Sequence, residues 1–72
     1  MTKTVKQWVR IVGFLTADWV RLSTPEHYQR ARALSIYIYD YVKGQEGMVS
    51  IPLTVDDTLI VEETIASYGG TL

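Results

Sequence analysis

The fold of this chain is decided by residues 25–43, which are Pro25-Glu26-His27-Tyr28-Gln29-Arg30-Ala31-Arg32-Ala33-Leu34-Ser35-Ile36-Tyr37-Ile38-Tyr39-Asp40-Tyr41-Val42-Lys43. They include four of the five tyrosines and the only histidine of the 72-residue sequence. One set of these residues recurs at intervals of four, three, four and three, which predicts one stripe of an α-helix. The members of this stripe are His27, Ala31, Leu34, Ile38 and Tyr41. We expect the stripe to face the core.

The same helix carries a second group of residues on its far side. Ala33, Ile36 and Tyr37 lie there, with Arg30 and Asp40 at the margins. A domain of this size buries only about 60% of the surface that its unfolded chain exposes, so it has little material with which to cover two faces of one helix. Tyrosine is also enriched at protein interfaces. The sequence therefore predicts that these five residues bind a second copy of the chain or another protein.

Residues 3–22 are predicted to form the first helix, because apolar residues recur there at alternating intervals of three and four. The resulting seam consists of Val5, Trp8, Val12, Leu15, Trp19 and Leu22. The opposite face carries the basic residues Lys3, Lys6, Arg10 and Arg21. Gly13 lies near the middle of this helix and indicates either a close helix crossing or a kink.

The second helix is predicted over residues 25–43. Pro25 suits a first helical position, and Ser23 or Thr24 can cap the helix. Gly44 then stands where a left-handed C-cap is favoured. Together these signals predict a tight αα-hairpin between the first helix and the second.

A strand over residues 35–42 is the alternative to the second half of this helix. Residues 36–39 alternate isoleucine and tyrosine, two residues with high β propensity. The helical stripe nevertheless continues through Ile38 and Tyr41, and no turn residue interrupts it. Continuity therefore favours the helix.

The last third of the chain is predicted to contain an extended arm and a third helix. Residues 48–54 alternate apolar and polar side chains, and Pro52 restricts them to a sheet edge or a plain extended arm. Residues 55–68 follow as a helix, with Thr54 as its N-cap and acidic residues in its first turn. The helix is expected to stop at two consecutive glycines.

These elements predict a single all-α domain over residues 1–72. It consists of an amphipathic αα-hairpin, an extended arm and a third helix. The alternative is an α+β fold, in which residues 58–65 form a strand that pairs with residues 48–55 in a C-terminal β-hairpin.

The composition limits the class of protein. The absence of cysteine excludes disulfides, thiolate metal sites and cysteine nucleophiles. No apolar stretch approaches 18 residues, and Arg10 interrupts the apolar run near the N terminus without a cleavage pattern after it. We therefore expect neither a signal peptide nor membrane association, and we expect a cytoplasmic protein.

The charges are divided along the chain. All seven basic residues precede residue 44, and only acidic residues carry charge after it, so that the two parts have net charges of +4 and −5. This asymmetry indicates either a basic binding surface or an acidic tail that docks on the body, within one chain or between chains. Docking of the tail is favoured.

Few residues have the arrangement of a catalytic or metal site. His27 is the only imidazole, and its place on the core stripe indicates a structural role. The pairs Asp56-Asp57 and Glu62-Glu63 are adjacent on a predicted helix, where neighbouring carboxylates diverge, so they fit a helix start and a solvated face. A metal site requires several ligands at defined spacing, and the chain has no second histidine. We therefore expect no enzymatic activity, metal ion or cofactor.

The predicted function is that of a non-enzymatic interaction protein. It forms a homo-oligomer and binds a partner protein as an adaptor, an inhibitor or an antitoxin-like factor. The alternative is a small DNA-binding transcriptional regulator that uses the basic face of the first helix. Four basic residues on one helix are few for phosphate contacts, so nucleic acid is less favoured than a protein partner.

Overall fold

The computed structural model describes residues 1–21 and 24–70, and the side chains of all of these except residues 18–21. Its elements in chain order are β1 (Thr2–Thr4), α1 (Val5–Arg21), α2 (Pro25–Val42), β2 (Met48–Ser50) and α3 (Val55–Ser67). The predicted helical fold, with an αα-hairpin, an extended segment and a third helix, is confirmed. The expected seam positions Trp19 and Leu22, and the candidate cap Ser23, lie outside the described residues or side chains.

The first helix begins at Val5 and not at residue 3 as predicted, because Thr4 and Gln7 form a reciprocal cap. The Gln7 backbone N–H donates to the Thr4 hydroxyl at 3.0 Å, and the Thr4 backbone N–H donates to the Gln7 side-chain oxygen at 3.0 Å. This arrangement satisfies backbone donors that no helical carbonyl can reach at a helix start. It therefore fixes the point at which the strand ends and the helix begins.

β1 and β2 form a two-stranded antiparallel sheet, with Thr2 opposite Ser50, Lys3 opposite Val49 and Thr4 opposite Met48. Two further backbone bonds extend it, since Ile51 N–H donates to Met1 O at 2.9 Å and the Met1 amino group donates to Ile51 O at 3.0 Å. The predicted extended arm thus includes a strand. Its partner is the N terminus, however, and not residues 58–65, which lie within α3; the alternative C-terminal hairpin does not form.

Local signals set the ends of the other two helices. α2 continues through Val42, so the alternative strand over residues 35–42 is wrong. Gly44 has a φ of +77°, and the Gln45 N–H donates to Val42 O at 2.9 Å, which is a type II turn that requires a glycine at its third residue. At α3 the Thr54 hydroxyl accepts from the Asp57 N–H at 3.1 Å, which confirms the predicted N-cap.

The core lies where α1, α2, β2 and α3 meet. Its buried residues are Trp8, Ile11, Leu15, Leu34, Ile38, Val42, Val49, Ile51 and Val61. The Trp8 indole N–H donates to Val49 O at 2.9 Å inside this core, so one large side chain both fills the centre and anchors the sheet. None of the helices formed by the described residues is long and apolar enough to cross a lipid bilayer.

The buried face of α2 is shifted from the predicted stripe. Ala31, Leu34 and Ile38 are buried as expected, and Ser35 and Val42 join them. His27 and Tyr41 are exposed instead. His27 lies in the first turn of α2, one turn before Ala31, which is the first buried residue of this helix. Tyr41 lies at the edge of the buried face, where its ring contacts Tyr37 edge-on with the centroids 5.9 Å apart.

The buried face of α1 is shifted in the same way. Trp8 and Leu15 are buried as predicted, whereas Val5 and Val12 are only partly buried. Ile11, which lies outside the predicted seam, is fully buried. The exposed Gly13 does not mark a close crossing, since a Cβ atom built on it would have no neighbour within 4 Å.

Candidate interaction surface

The outward side of α2 presents a regular seam of exposed residues. At about 100° per residue, one set lies opposite the buried face and recurs at intervals of three and four. We call this set the outer seam. Its members are Glu26, Gln29, Ala33, Ile36, Asp40 and Lys43, and all six are exposed. The apolar centre of the seam is formed by Ala33 and Ile36, and the Ile36 side chain is 45% exposed.

The five residues predicted to bind a partner are all exposed, but two of them also contact other residues of their own chain. Ala33, Ile36 and Asp40 belong to the outer seam. Arg30 and Tyr37 lie at its margin, where both contact the C-terminal part of the same chain. The Tyr37 hydroxyl donates to Pro52 O at 2.7 Å, and the Arg30 guanidinium lies 3.7 Å from the Asp56 carboxylate. This margin therefore also holds the arm against α2.

The tyrosine side chains extend the apolar surface on both sides of the seam. Tyr37 is 39% exposed and Tyr39 is 55% exposed, and they flank the seam on opposite sides. A tyrosine ring offers a large contact area at little cost in conformational entropy, and its hydroxyl can still bond to water or to a partner. The outer seam and its margins are thus apolar at the centre and polar at the two ends.

A groove of about 570 Å³ lies between α1, α2 and α3. It has an apolar floor that includes Leu15 and Ala31, and a charged rim formed by His27, Arg30, Asp56 and Glu63. The only histidine of the sequence thus lines the same groove as Asp56 and Glu63. Within the described residues, no three or more histidine, aspartate or glutamate side chains cluster closely enough to hold a metal ion.

The cap at Thr4 separates Lys3 from the other basic residues predicted to lie on one face of the first helix. Lys3 belongs to β1, because the helix begins two residues later than Lys3. Lys6 and Arg10 are exposed one turn apart on α1 and line a shallow depression of about 190 Å³ with Thr4 and Gln7. The side chain of Arg21 lies outside the described part of the chain.

The opposite charges of the body and the tail meet in one described ion pair, that of Arg30 and Asp56. The two side chains are 55% and 77% exposed, so solvent screens the pair strongly and its contribution to stability is small. The contact nevertheless shows that the first turn of α3 lies beside α2.

Comparison with known protein families, curated proteins and solved structures finds no match to this chain. The function is therefore inferred from the chemistry of the surface. On that basis the outer seam and its tyrosine margins form the candidate interaction surface. The groove and the Lys6–Arg10 depression are concave regions that lie elsewhere on the described chain.

Proposed function

We propose that this chain is a non-enzymatic interaction protein whose α2 outer seam, with the margin at Tyr37, binds another polypeptide. In that role it acts as an adaptor, an inhibitor or an antitoxin-like factor. A cytoplasmic location belongs to the same proposal, since a small folded chain without cysteine does not depend on an oxidising compartment.

The observation that carries the proposal is the exposure of Ile36 at the centre of a regular helical seam. Ile36 stands between Ala33 and Asp40 on this seam, with Tyr37 and Tyr39 beside it. Interfaces have this composition, with aliphatic and aromatic side chains at the centre and charged side chains at the rim. An amphipathic helix whose second face is exposed is also a common way for one protein to bind another.

The DNA-binding alternative has less support. Only Lys6 and Arg10 of its four residues are described as exposed on one face of α1. Affinity for the phosphate backbone grows with the number of basic contacts and falls steeply with salt, so two contacts make a weak site. Failure to shift any duplex at low salt would end this alternative.

The experiment that tests the proposal is affinity capture with two variants of equal polarity. The first is Ile36→Asp/Tyr37→Asp, and the control is Val9→Asp/Leu59→Asp, which places carboxylates at apolar positions on α1 and α3 that are 52% and 50% exposed. We expect the first variant to lose a protein that the native chain captures and the control to keep it. Circular dichroism checks that both variants are folded.

Equal capture by the native chain and by folded Ile36→Asp/Tyr37→Asp would overturn the assignment of the surface. Loss of capture with the control alone would instead assign the binding site to the surface around Val9, to that around Leu59, or to both.

A further inference from the structure

The outer seam of α2 is complementary to the outer seam of a second copy when the two helices run antiparallel, but not when they run parallel. We propose that α2 binds the α2 of a second copy through this seam, with the two helices antiparallel. This inference rests on the proposed function and names the polypeptide that the surface binds. The alternating three and four intervals of the seam are those with which two helices pack side by side.

The centre of the antiparallel pair joins a small side chain to a large one. When the seams run in opposite directions, Ala33 of each copy faces Ile36 of the other. A methyl group opposite a branched aliphatic side chain lets the helices approach closely, and it removes the exposed Ile36 from water. The seam therefore has an apolar centre that appears twice, once on each side of the two-fold axis.

The next layers outward join groups of complementary charge and hydrogen-bonding capacity. Gln29 of each copy faces Asp40 of the other, and an amide N–H can donate to a carboxylate. At both ends Glu26 of one copy faces Lys43 of the other. Lys43 already contacts Asp40 of its own chain at 3.4 Å through exposed side chains, so in the dimer its ammonium group lies between two carboxylates.

One margin of the pair is also complementary. Arg30 of each copy approaches Tyr37 of the other there. A guanidinium group beside a tyrosine ring is a favourable cation–π contact.

A parallel pair has none of these advantages. It places Glu26 against Glu26, Asp40 against Asp40 and Lys43 against Lys43, so three layers of the seam become like-charge contacts. Like charges at close range disfavour an interface. The charge order along α2 thus selects both the partner, which is a second copy, and the direction in which it binds.

Disulfide crosslinking tests this direction, because the chain has no cysteine of its own. Positions 26 and 43 are 17 residues apart, about 25 Å along a helix. In the antiparallel dimer each lies beside the other position of the second copy. We expect a mixture of Glu26→Cys and Lys43→Cys chains to form a covalent dimer on oxidation. Each variant alone should stay at the collisional level set by Glu62→Cys, an exposed position on α3.

Charge reversal, followed by sedimentation equilibrium of the purified chain, gives an independent test. Glu26→Lys and Lys43→Glu should each weaken the dimer by about fivefold to tenfold, because both ends of the pair then carry like charges. The double variant Glu26→Lys/Lys43→Glu should restore the affinity. Ile36→Asp should weaken it by more than about tenfold, since it places a carboxylate at the apolar centre.

Three results would overturn the inference. The first is that Glu26→Cys alone crosslinks as efficiently as the mixture. The second is that the chain sediments as a monomer at about 1 mM and the mixture gives no more crosslink than the control. The third is that the double charge variant dimerises no more tightly than the single variants. These assays use the purified chain, so they are separate from affinity capture. A monomer that still loses a captured protein on Ile36→Asp/Tyr37→Asp overturns the dimer and supports the proposed function with a different partner.

Discussion

The inner and outer faces of α2 have the same helical spacing but different neighbours. Ile38 on the inner face is fully buried against α1, whereas Ile36, two residues away and about 200° around the helix, is 45% exposed. The inner face is made of Ala31, Leu34, Ser35, Ile38 and Val42, and the outer seam has only two apolar members. Periodicity alone thus identifies two stripes, and residue type together with the facing helix decides which one becomes the core.

The largest expected effect contrasts these two isoleucines directly. Ile38→Ala should lower the free energy of unfolding by about 2–5 kcal/mol, because it leaves a cavity in the core. Ile36→Ala, at a concentration where the chain is monomeric, should change it by less than about 0.5 kcal/mol. Urea denaturation measures both, and Ile38→Val, with an expected loss of about 0.5–1.5 kcal/mol, gives a milder test if the alanine variant is unfolded.

Equal losses at the two positions in dilute solution would contradict this contrast. If Ile36→Ala instead lowers the free energy of unfolding by an amount that grows with protein concentration, the outer seam becomes buried only when copies associate. Only an interface between copies makes the stability of a surface variant depend on concentration in this way.

The second prediction compares two glycines, Gly44 in the turn that follows α2 and Gly13 on the exposed face of α1. Gly44→Ala should destabilise the chain by about 1–2 kcal/mol, because Gly44 has a φ of +77° that residues with a Cβ atom rarely adopt. Gly13→Ala should stabilise it by about 0.5–1 kcal/mol, because Gly13 is helical and a Cβ atom there meets no neighbour within 4 Å. Thermal denaturation of the two variants should therefore give shifts of opposite sign.

A loss of stability with Gly13→Ala would show that another molecule or segment packs closely against α1 at Gly13. Helix propensity would then not be the only factor that acts at this position. Measurement over a range of protein concentrations identifies whether a second copy is responsible.

The smallest expected effect concerns the margin between the two faces. Tyr37→Phe removes the hydroxyl that donates to Pro52 O at 2.7 Å, and it should lower the free energy of unfolding by about 0.5–1.5 kcal/mol. Tyr39→Phe is the matched control, since the described structure shows no hydrogen bond from the Tyr39 hydroxyl, and it should change stability by less than about 0.5 kcal/mol. Equal effects in urea denaturation would indicate that Tyr37 does not anchor the arm in solution.

Most of the helical fold could be predicted from the sequence, because helices depend on local signals. Pro25 marks the start of α2, and Thr54 caps α3. The cap at the start of α1 was also present in the sequence as Thr4 and Gln7 three residues apart. The predicted helix nevertheless began at residue 3, inside what is a strand, because the spacing of apolar residues does not show at which residue a helix starts.

The candidate surface was predicted only in part. The spacing identifies Ala33 and Ile36 as the back of α2, but it does not show that Arg30 and Tyr37 contact residues 52–56 of the same chain. Those contacts depend on where the arm passes, and that path follows from the pairing of β2 with β1. A residue at the margin of a helix can face either solvent or a neighbouring segment, and spacing does not distinguish the two.

By itself, the sequence determined where this chain is helical and that α2 has two faces, because both properties arise from interactions between residues no more than four apart. Only the tertiary structure decided that β2 pairs with the N terminus, that Ile11 and Val42 enter the core, and that His27 and Tyr41 stay outside it. These outcomes depend on contacts between distant parts of the chain, such as the bond from Trp8 to Val49, 41 residues apart. Such contacts form only when whole elements pack against each other.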